Sequence, residues 1–385
     1  MSAAAQGVEG VYDNAAAPAV REPFSHSWFD FDPSFGFSLP GAYGGTDFSN
    51  RGEKGNRDLV QRTSSFLSYN AGLQMQFGPL GVTVLGDFLN YTVDSSESAS
   101  SVALTLGRIH AVAAFALLDN QLVLGAGARI VFVNVREDAT DGALVRMLGA
   151  APQVGAVIKP NDVPWRLGIT ARAPVEASPL ELGTTKRATV GGIDRAGPYI
   201  LPTRITQPWE LEFGAAWQLG PRPLNPAWTN PHDEERDLPD EERARPDYKK
   251  RLRAAREARY ANWPREHVLL LASVVLTGSS NEAVALEGFI DQRRELVGRS
   301  ISASPRFAVE SEPLPNLVRG RAGVYFEPSR FEDSHHRQHF TFGTDVRLFS
   351  FDLFGLIDQT TWRISGFLDL APRYQNFGFA IGPWH

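Results

Sequence analysis

Several features are missing from the 385-residue sequence. It has no cysteine, which excludes a disulfide framework and any thiolate metal site. The formal net charge is -6, so no overall basic field is present to hold a nucleic acid. The longest apolar runs, residues 268–276 and 111–118, are far shorter than the ~18 residues that a membrane-spanning helix needs. Nucleic-acid binding proteins and helical membrane proteins are therefore excluded.

Glycine, proline and aromatic residues are abundant instead. The sequence contains 35 Gly and 26 Pro, and 11% of its residues are aromatic. This composition is typical of a turn-rich β protein rather than a helical one. The start, residues 1–10, has neither the basic region nor the apolar core of a signal peptide. Either the protein is therefore cytosolic or its start has been trimmed.

Apolar and polar residues alternate with a period of two along most of the chain. In residues 207–220, for example, Trp209, Leu211, Phe213 and Trp217 share one face of a strand, and Glu210 and Glu212 share the other. We predict about fourteen such strands, at 27–39, 64–77, 82–93, 101–117, 121–136, 150–159, 165–175, 208–219, 267–277, 301–310, 317–327, 338–349, 360–371 and 374–384.

The connections between these strands differ in length on the two sides. Short turns such as 78–81 and 119–120 follow even-numbered strands, whereas long polar stretches near 40–63, 137–149, 176–207 and 328–337 follow odd-numbered ones. Outer-membrane barrels have short periplasmic turns and long outer loops. The pattern predicts an all-β, transmembrane antiparallel barrel in the bacterial outer membrane. A large soluble β-sandwich is the alternative, but it leaves the asymmetry of the loops unexplained.

The charged residues indicate which face of each strand looks inward. An arginine facing lipid at the bilayer midplane costs about 2–4 kcal/mol, so we expect the charged faces to line the lumen. Trp209 and Trp217 lie roughly 26 Å apart along a strand, a spacing that suits aromatic belts at the two membrane interfaces. The predicted lumen residues are Arg129, Arg166, Arg172, Glu210, Glu212, Arg319, Arg321, Asp345, Arg347, Arg363 and Asp369, and the interface aromatics are Trp209, Trp217 and Trp362.

The strand pattern, the terminal segment NFGFAIGPWH and the start GVEGVYDNAAAPA together resemble the FadL-like family of outer-membrane transporters for hydrophobic compounds. The resemblance implies an N-terminal hatch over residues 1–26, with Asn14, Pro18 and Ala19 as the remnant of its Asn-Pro-Ala element, although three alanines separate the asparagine from the proline. It also implies that Gly86 and Asp87 form a kink in the third strand that opens the wall sideways. A glycine packed beneath a large side chain is the alternative for Gly86.

The resemblance further implies passive transport of a fatty-acid-like or aromatic compound through a plugged barrel formed by residues 27–385. The expected partners are the hydrophobic ligand, outer-membrane lipids and the barrel-assembly machinery, which would read the terminal strand; no cofactor, metal or enzymatic activity is expected. The alternatives are a scaffold or shuttle role in an envelope complex and an open polar pore.

Two stretches need separate interpretations. Residues 221–265 are strongly charged, and 247–263 reads as a helix after Asp247 that Pro264 ends. We interpret this insertion as a solvated periplasmic excursion; a surface for a periplasmic protein partner and a lid are the alternatives. Residues 278–300 are interpreted as an extension of the ninth strand into an outer loop.

The histidines are the candidate metal ligands and catalytic groups of the sequence. His335, His336 and His339, near Glu332 and Asp333, are expected in a solvated outer loop, with a metal cluster as the less favoured interpretation. His110 is expected inside the fourth strand, where nothing marks a serine partner for it.

Overall fold

The structure is a computed structural model. The ranges that it describes are 1–21, 27–41, 46–51, 61–95, 101–137, 142–177, 179–182, 187–190, 193–196, 199–200, 204–280, 283–285, 296–331, 335–353 and 357–384.

Fourteen antiparallel strands close into one barrel, which confirms the predicted fold class and strand number. Each barrel strand pairs with its two neighbours around the ring, and the first strand pairs with the last. The first seven are β1 (Phe29–Ser38), β2 (Gln61–Phe77), β3 (Leu80–Ser95), β4 (Ser101–Leu117), β5 (Leu122–Glu137), β6 (Gly142–Ile158) and β7 (Trp165–Arg172). The other seven are β14 (Glu210–Leu219), β15 (Val268–Thr277), β16 (Ser302–Leu314), β17 (Val318–Pro328), β18 (His336–Leu353), β19 (Ile357–Ala371) and β20 (Tyr374–Pro383).

Six short strands lie in the connection from β7 to β14. They are β8 (Val175–Ala177), β9 (Pro179–Leu182), β10 (Arg187–Val190), β11 (Ile193–Ala196), β12 (Tyr199–Ile200) and β13 (Ile205–Gln207). Strand β9 pairs with the first part of β6, β8 pairs with β13, and β10, β11 and β12 form a small sheet of their own. The described residues of the predicted long loop at 176–207 thus form short strands that pair with one another and with β6.

The barrel wall is apolar outside and polar inside. On β14 the side chains of Phe213, Trp217 and Leu219 are exposed, and those of Glu212 and Gln218, which alternate with them, are buried. Exposed phenylalanines on other strands continue this outer surface, for example Phe35, Phe115, Phe307, Phe342 and Phe379. Because an exposed apolar belt is stable in lipid and not in water, the barrel is built to span a bilayer.

The two rims differ as the sequence predicts, with two exceptions. The rim where β1 begins and β20 ends, called here the terminal rim, has tight turns such as 78–79 and 315–317; the opposite one is called the loop rim. The prediction of a long loop at 137–149 is wrong, because β6 already begins at Gly142, which pairs with Glu137 of β5. At 372–373 the loop rim has a tight turn between β19 and β20.

The connection at 278–300 also differs from its prediction. Strand β15 ends at Thr277, and beyond it Val284 pairs with Leu296 in an isolated antiparallel bridge. The segment is therefore a loop with a pairing of its own and not an extension of the strand. It adds no strand to the barrel, and residues 281–282 and 286–295 lie outside the described residues.

The charged insertion forms three helices at the terminal rim: α1 (Pro231–Arg236), α2 (Asp240–Arg243) and α3 (Tyr248–Ala261). Helix α3 matches the prediction, since it starts directly after Asp247, and the two shorter helices were not predicted. Arg256 and Arg259 of α3 bind Glu234 of α1, each at 3.2 Å. Among the described residues no helix is long and apolar enough to cross a membrane.

Candidate functional site

The N-terminal segment, residues 1–21, lies inside the barrel. Two short 3₁₀ turns, Glu9–Tyr12 and Ala17–Ala19, order it. Val8 and Val11 pack on Leu85 of β3 and Val112 of β4, and further along the segment Ala16, Ala19 and Val20 pack on Ala114, Ala116, Val123 and Val157. These buried contacts are all made with one side of the barrel wall.

A row of glycines lets the segment come this close. A Cβ atom on Gly81, Gly125 or Gly155 would lie only 2.0 Å from an atom of Pro18, Ala15 or Asn14, respectively. On Gly168 and Gly214 it would lie 2.5 Å from Ser2. Close approach of two backbones is a structural use of glycine. The five residues, which we call the glycine seat, lie on β3, β5, β6, β7 and β14.

Asn14 fixes the segment to the seat by hydrogen bonds. It is fully buried, and its side-chain amide donates to the carbonyl oxygens of Ser2 and Ala156 at 3.1 Å each and of Ile169 at 3.3 Å. Its Oδ1 atom accepts a bond from the Ala16 amide at 2.9 Å. Asn14 thus joins two parts of the segment to strands β6 and β7. Pro18 and Ala19, the other predicted hatch residues, form the second 3₁₀ turn against β3.

Lumen charges tie the segment and the loop rim to the wall near β5 and β14. Arg129 and Arg172 both donate to Glu210 Oε2, at 3.1 and 3.2 Å, and Arg172 also donates to the Tyr12 carbonyl. Glu212, which is almost fully buried, accepts a bond from the Ser2 amide at 2.9 Å. These are four of the predicted lumen residues, and the structure brings them together around the segment.

Arg166 joins the segment to the start of the insertion. Its guanidinium donates to Asn225 Oδ1 and the Leu224 carbonyl at 2.6 Å each and to Gln6 Oε1 at 3.1 Å. The residue is 2% exposed. It therefore holds the terminal rim and the N-terminal segment in one arrangement.

A second ionic network lies across the lumen, on β16 to β19. Asp345, only 1% exposed, is bound by Arg321 and Arg363 at 2.9 Å each, and Arg321 also binds Glu310 at 2.6 Å. Arg319 lies at the edge of this network, 3.4 Å from Glu312. Arg347 is separate from it, and donates to the Asn316 carbonyl in the turn at the terminal rim.

A cavity of about 610 Å³ separates the N-terminal segment from this half of the wall. Ala4, Ala5 and Glu9 line it on the side of the segment, and Gly343 and Phe367 are among the residues that line it on the wall. Phe367 pairs with Gly343 on one side and with Gly378 on the other, so its ring stands among small residues and remains 42% exposed. Apolar and charged groups thus meet in one cavity.

No protein-family model matches the chain, and no curated protein matches it in sequence. Solved structures do match it over its full length. A Pseudomonas aeruginosa FadL homologue has a TM-score of 0.54 at 10% identity, covering 100% of this chain and 95% of its own. The Ralstonia pickettii toluene transporter TbuX has a TM-score of 0.54 at 11% identity, covering 100% of this chain and 96% of its own. The Pseudomonas putida toluene transporter TodX has a TM-score of 0.51 at 10% identity, covering 99% of this chain and 94% of its own.

The chain has the FadL-like fold. The strand count, the closed ring and the N-terminal segment inside it all agree with that likeness. The resemblance noted in the sequence is therefore confirmed at the level of the fold.

The predicted kink in the third strand is absent from this FadL-like barrel. Gly86 pairs with Ala71 of β2 and Ile109 of β4 in an unbroken register. A Cβ on Gly86 would lie 2.9 Å from the ring of Phe88, so the glycine makes room for a neighbouring aromatic ring. Asp87 forms an ion pair with Arg108 at 2.6 Å across β3 and β4.

The nearest irregularity in the wall lies one strand earlier. The register of β2 against β3 shifts between Ser64 and Leu67, and Ser65 has a positive φ of 58°. Such a shift is the mark of a bulge. It could not be found in the sequence, because no glycine or proline stands at that position.

The histidines are placed differently from the expectation. His336 and His339 belong to strand β18, and His339 is 1% exposed. It bonds Asp369 at 2.9 Å and Glu327 at 3.0 Å, and Tyr325 donates to Asp369 at 2.8 Å. Asp369 is thus part of a network near the loop rim. His335, which directly precedes β18, forms a hydrogen bond with the side chain of Asn50.

A metal cluster of three or more His, Asp or Glu is not found in the described part of the chain. Glu332 and Asp333, the carboxylates next to these histidines in the sequence, lie outside the described residues. His110 lies on β4, as expected from the sequence, and bonds Gln153 at 3.1 Å.

The three tryptophans assigned to the membrane interfaces lie at different depths. Trp217, which is 49% exposed, stands beside Trp165 near the terminal rim, and Trp209 precedes β14 at the loop rim. Trp362 is instead buried. Beside it the register of β18 against β19 shifts between Arg347 and Ser350.

Several functional residues were not singled out from the sequence. Glu310 and Glu312 hold the arginines of the second network, and Glu9 lines the cavity. The inward position of Glu310 could have been predicted from the sequence, since Glu310 alternates with the exposed Phe307 and Val309 on β16. Nothing in the local pattern marks Glu9, because its position depends on how the segment crosses the lumen.

Lys159 allows a test of burial at the terminal rim. It lies in the turn after β6 and is 3% exposed. Burial, together with nearby Arg166 and Arg21, lowers its pKa from 10.5 to about 7. Between these two pKa values the unfolded chain binds more protons than the folded one, so stability rises with pH in that window, by at most about 1.4 kcal/mol per unit.

We expect Lys159→Met to unfold at a higher temperature than the wild type at neutral pH and to lose the rise of stability toward pH 10. Heat-dependent gel mobility of the detergent-solubilised barrel at several pH values measures both effects. Lys250→Met, on the exposed part of α3, is the control and should behave like the wild type. A wild-type stability that is flat from neutral to alkaline pH would contradict the prediction.

Proposed function

We propose that this protein is an outer-membrane transporter that carries a hydrophobic small molecule across the barrel by passive diffusion, without a cofactor. The observation that carries the proposal is the cavity between the N-terminal segment and the wall. At about 610 Å³ it lies within the range of ~300–1,000 Å³ that is usual for small-molecule sites. Likeness in fold to a FadL homologue and to two toluene transporters supports the same function.

The lining of the cavity suits an apolar molecule with a polar group. Phe367, Leu269 and Leu271 contribute apolar surface, and Arg321 and Arg363 contribute cationic groups that Asp345 and Glu310 largely balance. Polar groups that converge in a pocket orient its ligand. A fatty-acid-like molecule and an aromatic compound both meet this description.

Gly343→Phe tests the proposal. A Cβ on Gly343 meets only Arg321 at 3.7 Å and the Gly366 carbonyl at 3.8 Å, so a phenyl ring would extend into the cavity without disturbing the wall. We expect uptake to fall about tenfold or more, since overpacking of this kind costs about 1–3 kcal/mol. Uptake of a radiolabelled long-chain fatty acid and of toluene is measured in cells that lack their own fatty-acid transporter.

Gly320→Phe is the matched control. Gly320 lies on the adjacent strand β17, and a Cβ there meets nothing within 4 Å. This variant should take up both probes at the wild-type rate. Normal uptake by Gly343→Phe, or no uptake by the wild type, would contradict the proposed function.

A scaffold role in an envelope complex is the second candidate. The observation in its favour is that helices α1, α2 and α3 bury no residue among those whose side chains are described, and expose most of them. They touch the barrel through the stacking of Trp28 on His232, with ring centroids 4.9 Å apart. A pure scaffold would retain its activity in the Gly343→Phe variant, which separates the two candidates.

A further inference from the structure

A stretch of irregular chain lies at the terminal rim directly after β14. Residues 221–228, which we call the strap, connect the end of β14 with helix α1. They form neither helix nor strand. Pro221, Pro223 and Pro226 fix the φ angle at three positions of the strap. A segment this rich in proline is stiff, so the strap moves as one rod.

The strap runs along the N-terminal segment from its start to its end. Leu224 packs in one buried cluster with Ala3, and the ring of Trp228 lies 4.3 Å from the guanidinium carbon of Arg21. Helix α1 then reaches Trp28, which directly precedes β1. Strand β14 is seven strands away from β1 in either direction around the ring. The strap therefore covers the N-terminal segment from the terminal rim.

The strap also closes the cavity on this side. Arg222 and Leu224 line the cavity, although they belong to neither a barrel strand nor the N-terminal segment. Leu269, near the start of β15, packs in the same cluster as Leu224 and lines the cavity too. A molecule that leaves the cavity toward the terminal rim thus meets the strap.

Asn225 holds the strap to the wall. The residue is fully buried, and its side-chain amide donates to the carbonyl oxygens of Val163 and Trp165 at 2.9 and 2.8 Å. Its Oδ1 atom accepts a bond from Arg166 at 2.6 Å, and its backbone carbonyl accepts one from the Asp162 amide at 2.9 Å. All four bonds go to β7 and to the turn before it. We call these four bonds the latch.

A glycine stands where the strap leaves the wall. Gly220 has a φ of 107°, a conformation that is open to glycine and strained for other residues. A Cβ on Gly220 would lie 2.7 Å from the Glu266 carbonyl oxygen. Hinges are residues at the ends of elements that absorb changes in φ and ψ. A rotation at Gly220 would move the stiff strap as a unit.

The strap is easier to move than the N-terminal segment. Leu224 is its only buried apolar residue, and Pro221 and Ala227 are exposed. The N-terminal segment instead packs through many residues in two apolar clusters. Water can replace the hydrogen bonds of the latch when they break at the rim, whereas exposed apolar surface gains no such compensation. Opening the strap therefore costs less than displacing the segment.

From these observations we infer that the strap is the gate through which the ligand leaves the cavity at the terminal rim, and that Asn225 is the residue that holds this gate closed. The inference rests on the proposed function and adds the exit to it. In that function the terminal rim, with its tight turns, faces the periplasm. The strap swings about Gly220 while the N-terminal segment stays on the glycine seat.

Tethering the strap tests the inference. The chain has no cysteine, so Asp162→Cys with Pro226→Cys introduces a single thiol pair. The two positions are close, because the Asp162 amide donates to the carbonyl oxygen of the residue before Pro226. Asp162 is exposed and Pro226 half-buried, so a short bis-methanethiosulfonate linker can reach both. The control pair is Leu122→Cys with Ile158→Cys, which are opposite each other on β5 and β6 at the same rim.

We expect the linked strap variant to lose uptake of a radiolabelled long-chain fatty acid and to regain it when dithiothreitol removes the linker. Binding of a fluorescent fatty acid to the purified barrel should persist in the linked form, and the linked control pair should transport normally. Wild-type uptake by the fully linked strap variant would overturn the gate and leave the proposed function standing. A lack of uptake by the wild type would overturn the proposed function, and with it the inference.

A second variant opens the latch without a tether. Asn225→Ala removes three of its four hydrogen bonds, so the fluorescent fatty acid should leave the preloaded, purified barrel about tenfold faster or more. Asn230→Ala, which removes only the cap of helix α1, is the matched control and should release the probe like the wild type. Release at the wild-type rate by an Asn225→Ala barrel of normal gel mobility would overturn the role of Asn225.

Discussion

Gly155→Val is expected to convert the plugged barrel into an open channel. A Cβ at this position would lie 2.0 Å from Asn14 Oδ1 and 2.9 Å from the Ala15 amide nitrogen. Valine adds two further carbons, so Asn14 must move away from β6 and β7. Its two side-chain hydrogen bonds to the wall, worth about 1 kcal/mol each, would be lost together.

The expected result is a large rise in ion conductance across planar lipid bilayers. Because the charged lumen is wet once the segment is displaced, an uncovered barrel conducts, and a shift of about 2 kcal/mol changes the open population roughly thirtyfold. Cells that produce the variant should also become permeable to hydrophilic antibiotics. Gly320→Val, at the site with free space, is the matched control and should remain closed. Equal conductance of both variants would show that the glycine seat does not hold the segment.

Asp345→Asn is expected to cause the largest loss of stability. The carboxylate is buried, and it binds Arg321 and Arg363 at 2.9 Å each, with Arg319 at 4.0 Å. The amide keeps the shape of the side chain but removes the charge, so these guanidinium groups face one another with less compensation. Removing one partner of a buried ionic network costs about 3–5 kcal/mol.

Urea unfolding of the barrel in lipid vesicles, followed by tryptophan fluorescence, measures this loss. The control is Glu176→Gln, which breaks the ion pair of Glu176 with Arg204 at 3.5 Å, where both side chains are more than half exposed. Exposed pairs contribute about 0–1 kcal/mol, so the control should unfold almost like the wild type. Similar losses in both variants would mean that water screens the lumen network as well.

The fold could be predicted from the sequence because alternation is a local signal. Each of the fourteen strands carries its own period-two pattern, and in β14 the pattern places Phe213 and Glu212 on opposite faces, as the structure shows. The start of β6 was missed because its first residues, at 142–149, contain glycines and alternate less clearly. Boundaries at the loop rim depend on pairing with a neighbour, which the local sequence does not contain.

The site was only partly predictable, since it depends on contacts between distant parts of the chain. The inward position of Arg129 follows from alternation, but its partner Glu210 is 81 residues away. Gly155 looks like any other barrel glycine until Asn14 is placed against it. The sequence likewise does not show that the ring of Phe88 lies against Gly86, and without that contact a glycine inside a strand resembles a kink.

The short ladder between β1 and β20 also has a consequence for how the molecule is made. Its two strands are the most distant in the chain, so bringing them together costs the most conformational entropy, and a ladder from Phe35 to Gly41 on β1 offsets that cost. Hairpins between neighbours, such as β4 with β5, form from local contacts and need no such search. The ring should therefore close last at this junction when the barrel assembles.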